Sequence, residues 1–247
     1  MADVDLRRGS RVHRACRQGA LGALLLAVCA CQWPRDAEGT LARVTGGTMR
    51  VGVTPADPWV RLGDPRPTGV EVRVVEQLAT ELDADVEWVP GSESELMAAL
   101  HVRALDLVIG GLDSAAPWST EASLTRHYLI TREVVAVPSG ATAPRDADDL
   151  EGVPVAVERG RDAVERVRSF GAVPVAVEEI TGAEGPVVVD DWRLPGLGLT
   201  ALNAEVSRSE HVMAVPSGEN GWQATVERYL LTQPRSELLQ LLREEQP

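Results

Sequence analysis

The chain contains no lysine. Its 24 basic residues are all arginines, set against 37 aspartates and glutamates, for a formal net charge of −13. A surplus of negative charge on this scale repels phosphate backbones, which speaks against nucleic acid as a partner. Cysteine is scarce and badly placed for cross-linking: Cys16, Cys29 and Cys31 all fall in the first 31 residues. Once an N-terminal leader is removed, no thiol pair survives and no disulfide can form. Of the four histidines, His13 sits near the start, and His101, His127 and His211 have no partners at metal-ligand spacing, so no metal site is expected. There is no Gly-x-Ser-x-Gly nucleophile elbow, and "GRDAVE" lacks the three glycines of a dinucleotide loop. No cofactor and no catalytic centre are expected. Apolar residues are not lacking. At 44% hydrophobic and 25% charged residues, the composition is that of a globular core rather than a disordered chain.

The first thirty residues read as an export leader. "MADVDLRRGSRVHRACRQ" carries five arginines and is followed by the uncharged apolar stretch "GALGALLLAVCAC", which is too short to span a bilayer stably. "Val28-Cys29-Ala30-Cys31" resembles the bacterial lipobox. There a small residue precedes a cysteine that is lipidated and becomes the new N-terminus. Cys31, preceded by Ala30, is the better candidate and Cys29 the alternative. Removing residues 1–30 takes the net charge to about −16, and residues 31–47, polar and aperiodic, read as a tether.

From Met49 the pattern alternates regularly. "MRVGV", "DVEWVP" and "LDLVIGG" read as strands. Between them, "VEVRVVEQLATELDA" puts Val70, Val74, Leu78 and Leu82 on one helical stripe, and "ESELMAALHVRA" reads as a second helix. Such a βαβαβ run predicts a parallel sheet with helices on both faces. A second, smaller α/β unit follows, with "VPVAVE" at 153–158 and again at 173–178 predicting two neighbouring parallel strands. Two helical stretches, about 219–232 and 234–245, close the chain. "AVPSG" occurs at 136–140 and 214–218, each time ending an apolar run. Two copies are too few for a solenoid. They fit a chain that leaves one lobe and later returns to it: lobe 1 from 48–138 and 211–247, lobe 2 from 139–210. On this reading the two copies cross side by side as a hinge, with Pro-Ser-Gly stopping each strand.

This order of elements resembles the amino-acid-binding family of extracellular solute-binding proteins, the receptors of ABC importers with the type II periplasmic binding protein fold. The resemblance rests on "MRVGVTPADPW", "TGVEVRVVEQLATEL", "LMAALHVRALDLVIGGL", "DDLEGVPVAVERG" and "VVVDD", in that order. It implies a two-lobed α/β fold with mainly parallel sheets, a two-strand hinge, and a small ligand held in the crevice between lobes. The expected protein is a monomeric, extracytoplasmic, lipid-anchored receptor partnered by the membrane subunits of an importer. Carried over by position, the resemblance puts Thr54, Asp57 and the covering aromatic Trp59 in the first loop. It puts Gly110, Gly111, Leu112 and Asp113 after the third strand. Gly160, Arg161 and Asp162 would form a carboxylate-gripping helix start in lobe 2, and Asp190 or Asp191 would hold a ligand ammonium.

The chain also departs from that pattern. The arginine that clamps an α-carboxylate after the third strand is replaced by Trp118, and the helix before "VVVDD" is reduced to "ITGAEG". Arg161 could restore the clamp from the opposite lobe. Alternatively, Asp57, Asp113 and Asp190 or Asp191, with Trp59 and Trp118, suit a cationic ligand. Each residue has a structural reading too: Asp113 as a helix cap, Trp118 as packing, Asp190 and Asp191 as turn residues. Two other functions fit the same residues: a sensory or interaction module that binds no small ligand, and a dehydratase or lyase using Asp113 opposite Asp190 or Asp191.

Overall fold

The computed structural model of the protein describes residues 35–245 except Ser119 and Ala183; the leader and Cys31 lie outside the described residues. Two five-stranded sheets form two lobes. The strands are β1 (Thr48–Val53), β2 (Asp85–Pro90), β3 (Leu107–Ile109), β4 (Ala122–Leu124), β5 (Leu129–Pro138), β6 (Pro154–Glu158), β7 (Val173–Val177), β8 (Val187–Asp190), β9 (Leu199–His211) and β10 (Ala214–Pro216). The first sheet runs β2-β1-β3-β10-β4 and the second β7-β6-β8-β5-β9. Each has a parallel three-strand part made by right-sized α/β units and an antiparallel part made by the strands nearest the crossings.

The helices are α1 (Thr40–Val44), α2 (Val70–Glu81), α3 (Glu93–His101), α4 (Val164–Ser169), α5 (Leu194–Leu197), α6 (Asn220–Thr232) and α7 (Arg235–Glu244). Helix α2 forms where the stripe predicts it: Val70, Val74, Val75 and Leu78 are each at most 2% exposed, packed in one core with Met49, Val51, Trp222 and Leu242. Helix α3 starts with a capping box, the Ser92 hydroxyl and the Glu95 carboxylate reciprocally satisfying the first turn. The repeated "VPVAVE" segments pair in parallel as β6 and β7, Val155 opposite Pro174 and Val157 opposite Ala176.

Four expectations need correction. The two "AVPSG" copies are not side by side. The first ends β5 in the second sheet and the second forms β10 in the first sheet. Pro-Ser-Gly does end both strands, but the chain crosses between lobes at the other end of β5. There Leu129 pairs with His211, Tyr128 N–H donates to the His211 carbonyl at 3.0 Å, and Thr125 N–H donates to the Met213 carbonyl at 2.9 Å. Strand 129–138 therefore belongs to the second sheet, because β9, thirteen residues long, gives it an antiparallel partner along its whole length.

Residues 35–47 are no loose tether. They carry α1, and Asp36 accepts hydrogen bonds from Leu41 and Trp222 N–H, both at 2.8 Å. Buried Glu219 accepts from Glu38 and Thr40 N–H at 2.8 and 2.9 Å. Finally, the lobe 2 helix does not start at Gly160. Residues 160–163 are turn and loop, and α4 begins at Val164 with six residues only.

Candidate functional site

The parallel strands of both sheets aim their carboxyl ends at one crevice, the usual ligand position in open α/β sheets. From lobe 1 come the loop after β1 and the turn after β3; from lobe 2 come the last residues of β6 and β8. Two adjoining cavities of about 480 and 360 Å³ fill this crevice, and Asp57, Pro58, Arg161, Asp190 and Trp192 line both. The larger also touches Glu158, Glu179 and Arg193. The smaller reaches Trp59, Thr131, Glu133, Ser207 and His211.

The lobe 2 wall is an ion-pair cage. Glu133 on β5 lies directly opposite Asp190 on β8, an arrangement in which two carboxylates repel. Arg161 sits among them. One of its terminal nitrogens pairs with Glu133, the other with Asp190 at 2.8 Å, and Nε with Glu158 at 3.1 Å. Arg193 reaches the same Glu158 oxygen at 3.2 Å, and the Ser207 hydroxyl donates to Glu133 at 2.7 Å. All five ionic side chains are only 18–22% exposed. Burial alone would lower the Arg161 pKa, but the Asp190 and Glu133 carboxylates outweigh it and hold the guanidinium charged.

Lobe 1 spends its polar groups differently. Glu71, on the first turn of α2, is fully buried. Its Oε2 accepts the N–H groups of Gly110 and Gly111 at 2.8 and 2.9 Å, and its Oε1 accepts the Tyr128 hydroxyl at 2.6 Å. Burial raises its pKa against the lowering effect of these bonds. Gly110 must be glycine, because its φ is 155° and a Cβ would lie 2.1 Å from the Thr54 side chain. His211, 5% exposed, bonds Thr131 Oγ1 through Nε2 at 2.8 Å, and its ring centroid is 3.9 Å from that of Trp59. Burial pushes its pKa down to about 4, outweighing the Asp113 charge and the Gly111 backbone, which act the other way. His211 Nδ1 makes no hydrogen bond of ordinary geometry.

Among the expected residues, Asp57, Trp59, Gly111, Arg161 and Asp190 line the crevice. The others are occupied elsewhere. The Gly110 and Gly111 amides belong to Glu71, and Thr54 packs on Gly110 while its N–H goes to the Ile109 carbonyl. Leu112 is core. Asp113 neither points at Asp190 nor caps a helix: its oxygens accept Ala115 and Glu210 N–H at 2.8 and 2.9 Å. Trp118 is packing, with its ring nitrogen donating to Glu93. Gly160 and Asp162 are exposed in the turn before α4, so no helix start is available there to grip a carboxylate. Asp191 pairs with Arg132 at 3.4 Å. The residues not foreseen are Glu71, Glu133, Glu158, Trp192, Arg193 and His211. Strand register and the long β9 bring Glu133, Glu158 and His211 to the crevice, the turn after β8 brings Trp192 and Arg193, and Glu71 stands behind it on α2.

Two α/β lobes, a double crossing and a polar crevice between strand ends define the architecture of a solute-binding protein. The chain belongs to the bacterial extracellular solute-binding proteins, family 3, whose family model matches residues 49–245. An L-arginine-binding protein of Pseudomonas aeruginosa is 26% identical over 134 residues, 53% of this chain. That alignment spans 51% of the relative, about half its length. Among solved structures, the L-cystine solute receptor of Neisseria gonorrhoeae in its unliganded open conformation matches with a TM-score of 0.67 at 18% identity, over 83% of this chain and 95% of that one. An ancestral cationic amino acid solute-binding protein matches with a TM-score of 0.65 at 21% identity, over 83% and 98%. An ancestral cyclohexadienyl dehydratase shares the fold at 0.60, with 22% identity over 82% and 95%.

Proposed function

We propose that this protein is the extracytoplasmic receptor of an ABC importer, held at the membrane by a lipid on Cys31, and that it closes its two lobes around a small solute bearing a positive charge. The observation that carries the ligand class is the charge of the crevice. Five carboxylates line it (Asp57, Glu133, Glu158, Glu179 and Asp190) against two guanidinium groups; Asp57 is also paired with Arg61, and an excess of negative charge remains. An anionic or net-neutral solute would find no free cation to offset the excess negative charge. Arg161 has all three of its nitrogens committed to carboxylates. A cation instead meets uncompensated charge beside the Trp59 and Trp192 rings, which favour it further. The arginine-binding relative points to the same class. Closure would bend the crossings at Thr125–Leu129 and His211–Met213.

Thermal unfolding against a panel tests this reading: arginine, ornithine and diamines beside glutamate, neutral amino acids and dicarboxylates. A ligand at a hundred times its dissociation constant adds about 2.7 kcal/mol, a shift of roughly 5–10 °C for a chain of this size. The expected result is a shift with cationic compounds alone. A second reading, an interaction module with no small ligand, has its own support: the Gly110, Gly111 and Asp113 groups that the family resemblance assigns to ligand are used internally. No shift with any compound, from a chain that unfolds cooperatively, would favour it.

A further inference from the structure

The lobe 2 cage is already full, and its occupant is part of the chain. Glu133, Glu158 and Asp190 come from three strands and converge on one guanidinium, each taking a different nitrogen. This is how a protein would bind a free guanidinium or ammonium ion. We propose that Arg161 is a built-in occupant of a cation cage, and that the cationic ligand of the receptor binds by taking its place. The inference rests on the cation reading above and adds how the site is kept when empty.

Several observations support an exchangeable arginine rather than a fixed structural one. The cage needs a cation in every state. Glu133 and Asp190 face each other across paired strands, and Arg193, bound to Glu158 alone, leaves both unneutralised. Losing Arg161 without replacement would put three carboxylates around one remaining guanidinium, which is costly in partly buried surroundings. Replacing it by a ligand cation keeps the balance unchanged. The segment that carries it is lightly held. Arg161 lies in the turn ahead of the six-residue α4, after Gly160 at φ 86°, around whose Cβ position nothing lies within 4 Å. The Arg161 N–H reaches only the Glu158 carbonyl, at 3.3 Å. The side chain can therefore swing toward solvent without breaking a helix or opening a core. Next to the cage, the crevice also holds His211, 95% withdrawn from solvent, with Nδ1 lacking a hydrogen bond of ordinary geometry. Its neighbours there are the Gly111 backbone, the Trp59 ring and Thr131, so it closes the crevice wall beside the cage.

The arginine then competes with ligand, so removing it should strengthen binding. The test measures binding of free arginine and of guanidinium ion by calorimetry in the unaltered protein and in Arg161→Ala and Arg161→Gln. Melting curves in guanidinium chloride are compared with sodium chloride at equal millimolar ionic strength. The expected result is at least tenfold tighter arginine binding in both variants. Millimolar guanidinium should also raise the melting temperature of the variants but not of the unaltered protein. Should Arg161→Ala be too unstable to purify alone, recovery of folded protein when guanidinium is added would carry the same meaning, and Arg161→Gln, which retains hydrogen-bonding capacity, gives a second folded sample. Equal or weaker cation binding in the variants, with no response to guanidinium, would overturn the proposal and make Arg161 a fixed structural residue or a ligand-contacting one. The guanidinium response is independent of the natural ligand. If it appears while no panel compound binds the unaltered protein, the cage stands and the receptor reading falls.

Discussion

The two lobes neutralise their buried polar groups by opposite means. In lobe 1, carboxylates are locked onto backbone. Glu71 takes two glycine amides and a tyrosine hydroxyl, and Asp113 takes two amides. Asp106 is the exception in lobe 1: fully buried, it accepts the Arg50 N–H at 2.9 Å but is held mainly by the Arg43 and Arg50 guanidinium groups. The backbone partners of Glu71 and Asp113 cannot leave without local unfolding. In lobe 2, the crevice carboxylates are held mainly by arginine side chains, and side chains rotate. The cores differ in the same direction. Among the described residues, lobe 1 carries helices of nine to thirteen residues beside the short α1, whereas the α-helices of lobe 2 are α4 and α5, of six and four residues. Its edge strand β7 leaves Val173 50% and Val175 43% exposed. On the function proposed above, lobe 1 is scaffold and lobe 2 is where ligand choice can change.

The largest test of that contrast is Glu71→Ala. It strands the Gly110 and Gly111 amides and the Tyr128 hydroxyl in a dry site, and each stranded buried group costs about 1–3 kcal/mol. We expect a loss of roughly 3–5 kcal/mol in denaturant unfolding. Because Tyr128 adjoins the crossing and Gly111 the crevice, ligand affinity should fall with it. A loss under 1 kcal/mol would show that lobe 1 is no more locked than lobe 2.

Next in size is a pH effect confined to the crossing. With the His211 pKa at about 4 in the folded chain and near 6.5 when unfolded, the unfolded state binds the extra proton between those values. Stability contributed by neutral His211 is thus intact above pH 6.5 and is lost as the pH falls toward 4, by up to about 3 kcal/mol. His211→Gln should flatten that part of the stability profile. A variant with the same acid sensitivity as the unaltered protein would show that other groups set it.

Much of lobe 1 is legible in the sequence because its periodicities are long. The Val70–Leu78 stripe fills a helix of twelve residues, and "MRVGV" and "LDLVI" are uninterrupted apolar runs. Strand β9 is harder to see. Its inward residues are Leu202, Ala204 and Val206, interleaved with the exposed Glu205, Ser207 and Arg208, so a thirteen-residue strand looks like polar connection. Missing β9 hides the true crossing and leaves the two "AVPSG" segments as the apparent hinge. The site suffers from the same gap. Arg161 and Asp190 stand out individually, but nothing in their spacing says that they bind each other. The pairing follows from Glu133 being placed opposite Asp190, a matter of register between distant segments. Glu71 was within reach, as the acid two residues beyond Gly69 at a helix start, where a carboxylate favours the dipole. Its actual role depends on a glycine turn almost forty residues later.

The smallest expected effect separates neighbours that the sequence treats alike. Asp190 and Asp191 are consecutive, and either fits the ammonium-holding position. Asp190 ends β8 and Asp191 opens the turn after it, and their partners differ accordingly. Asp190 faces Arg161 in the crevice at 2.8 Å, while Asp191, 14% exposed, meets Arg132, 45% exposed, at 3.4 Å. The pair is long and its arginine is exposed, so Asp191→Asn should move stability by about 0–1 kcal/mol and leave cation binding unchanged. Asp190→Asn removes one wall of the cage and should weaken cation binding about tenfold, with little change in melting temperature because Arg161 keeps Glu133 and Glu158. Both are read in one titration series with arginine. Equal losses from the two variants would mean that the crevice attracts cations through its summed charge rather than through the cage, and the division of labour between the lobes would then rest on stability alone.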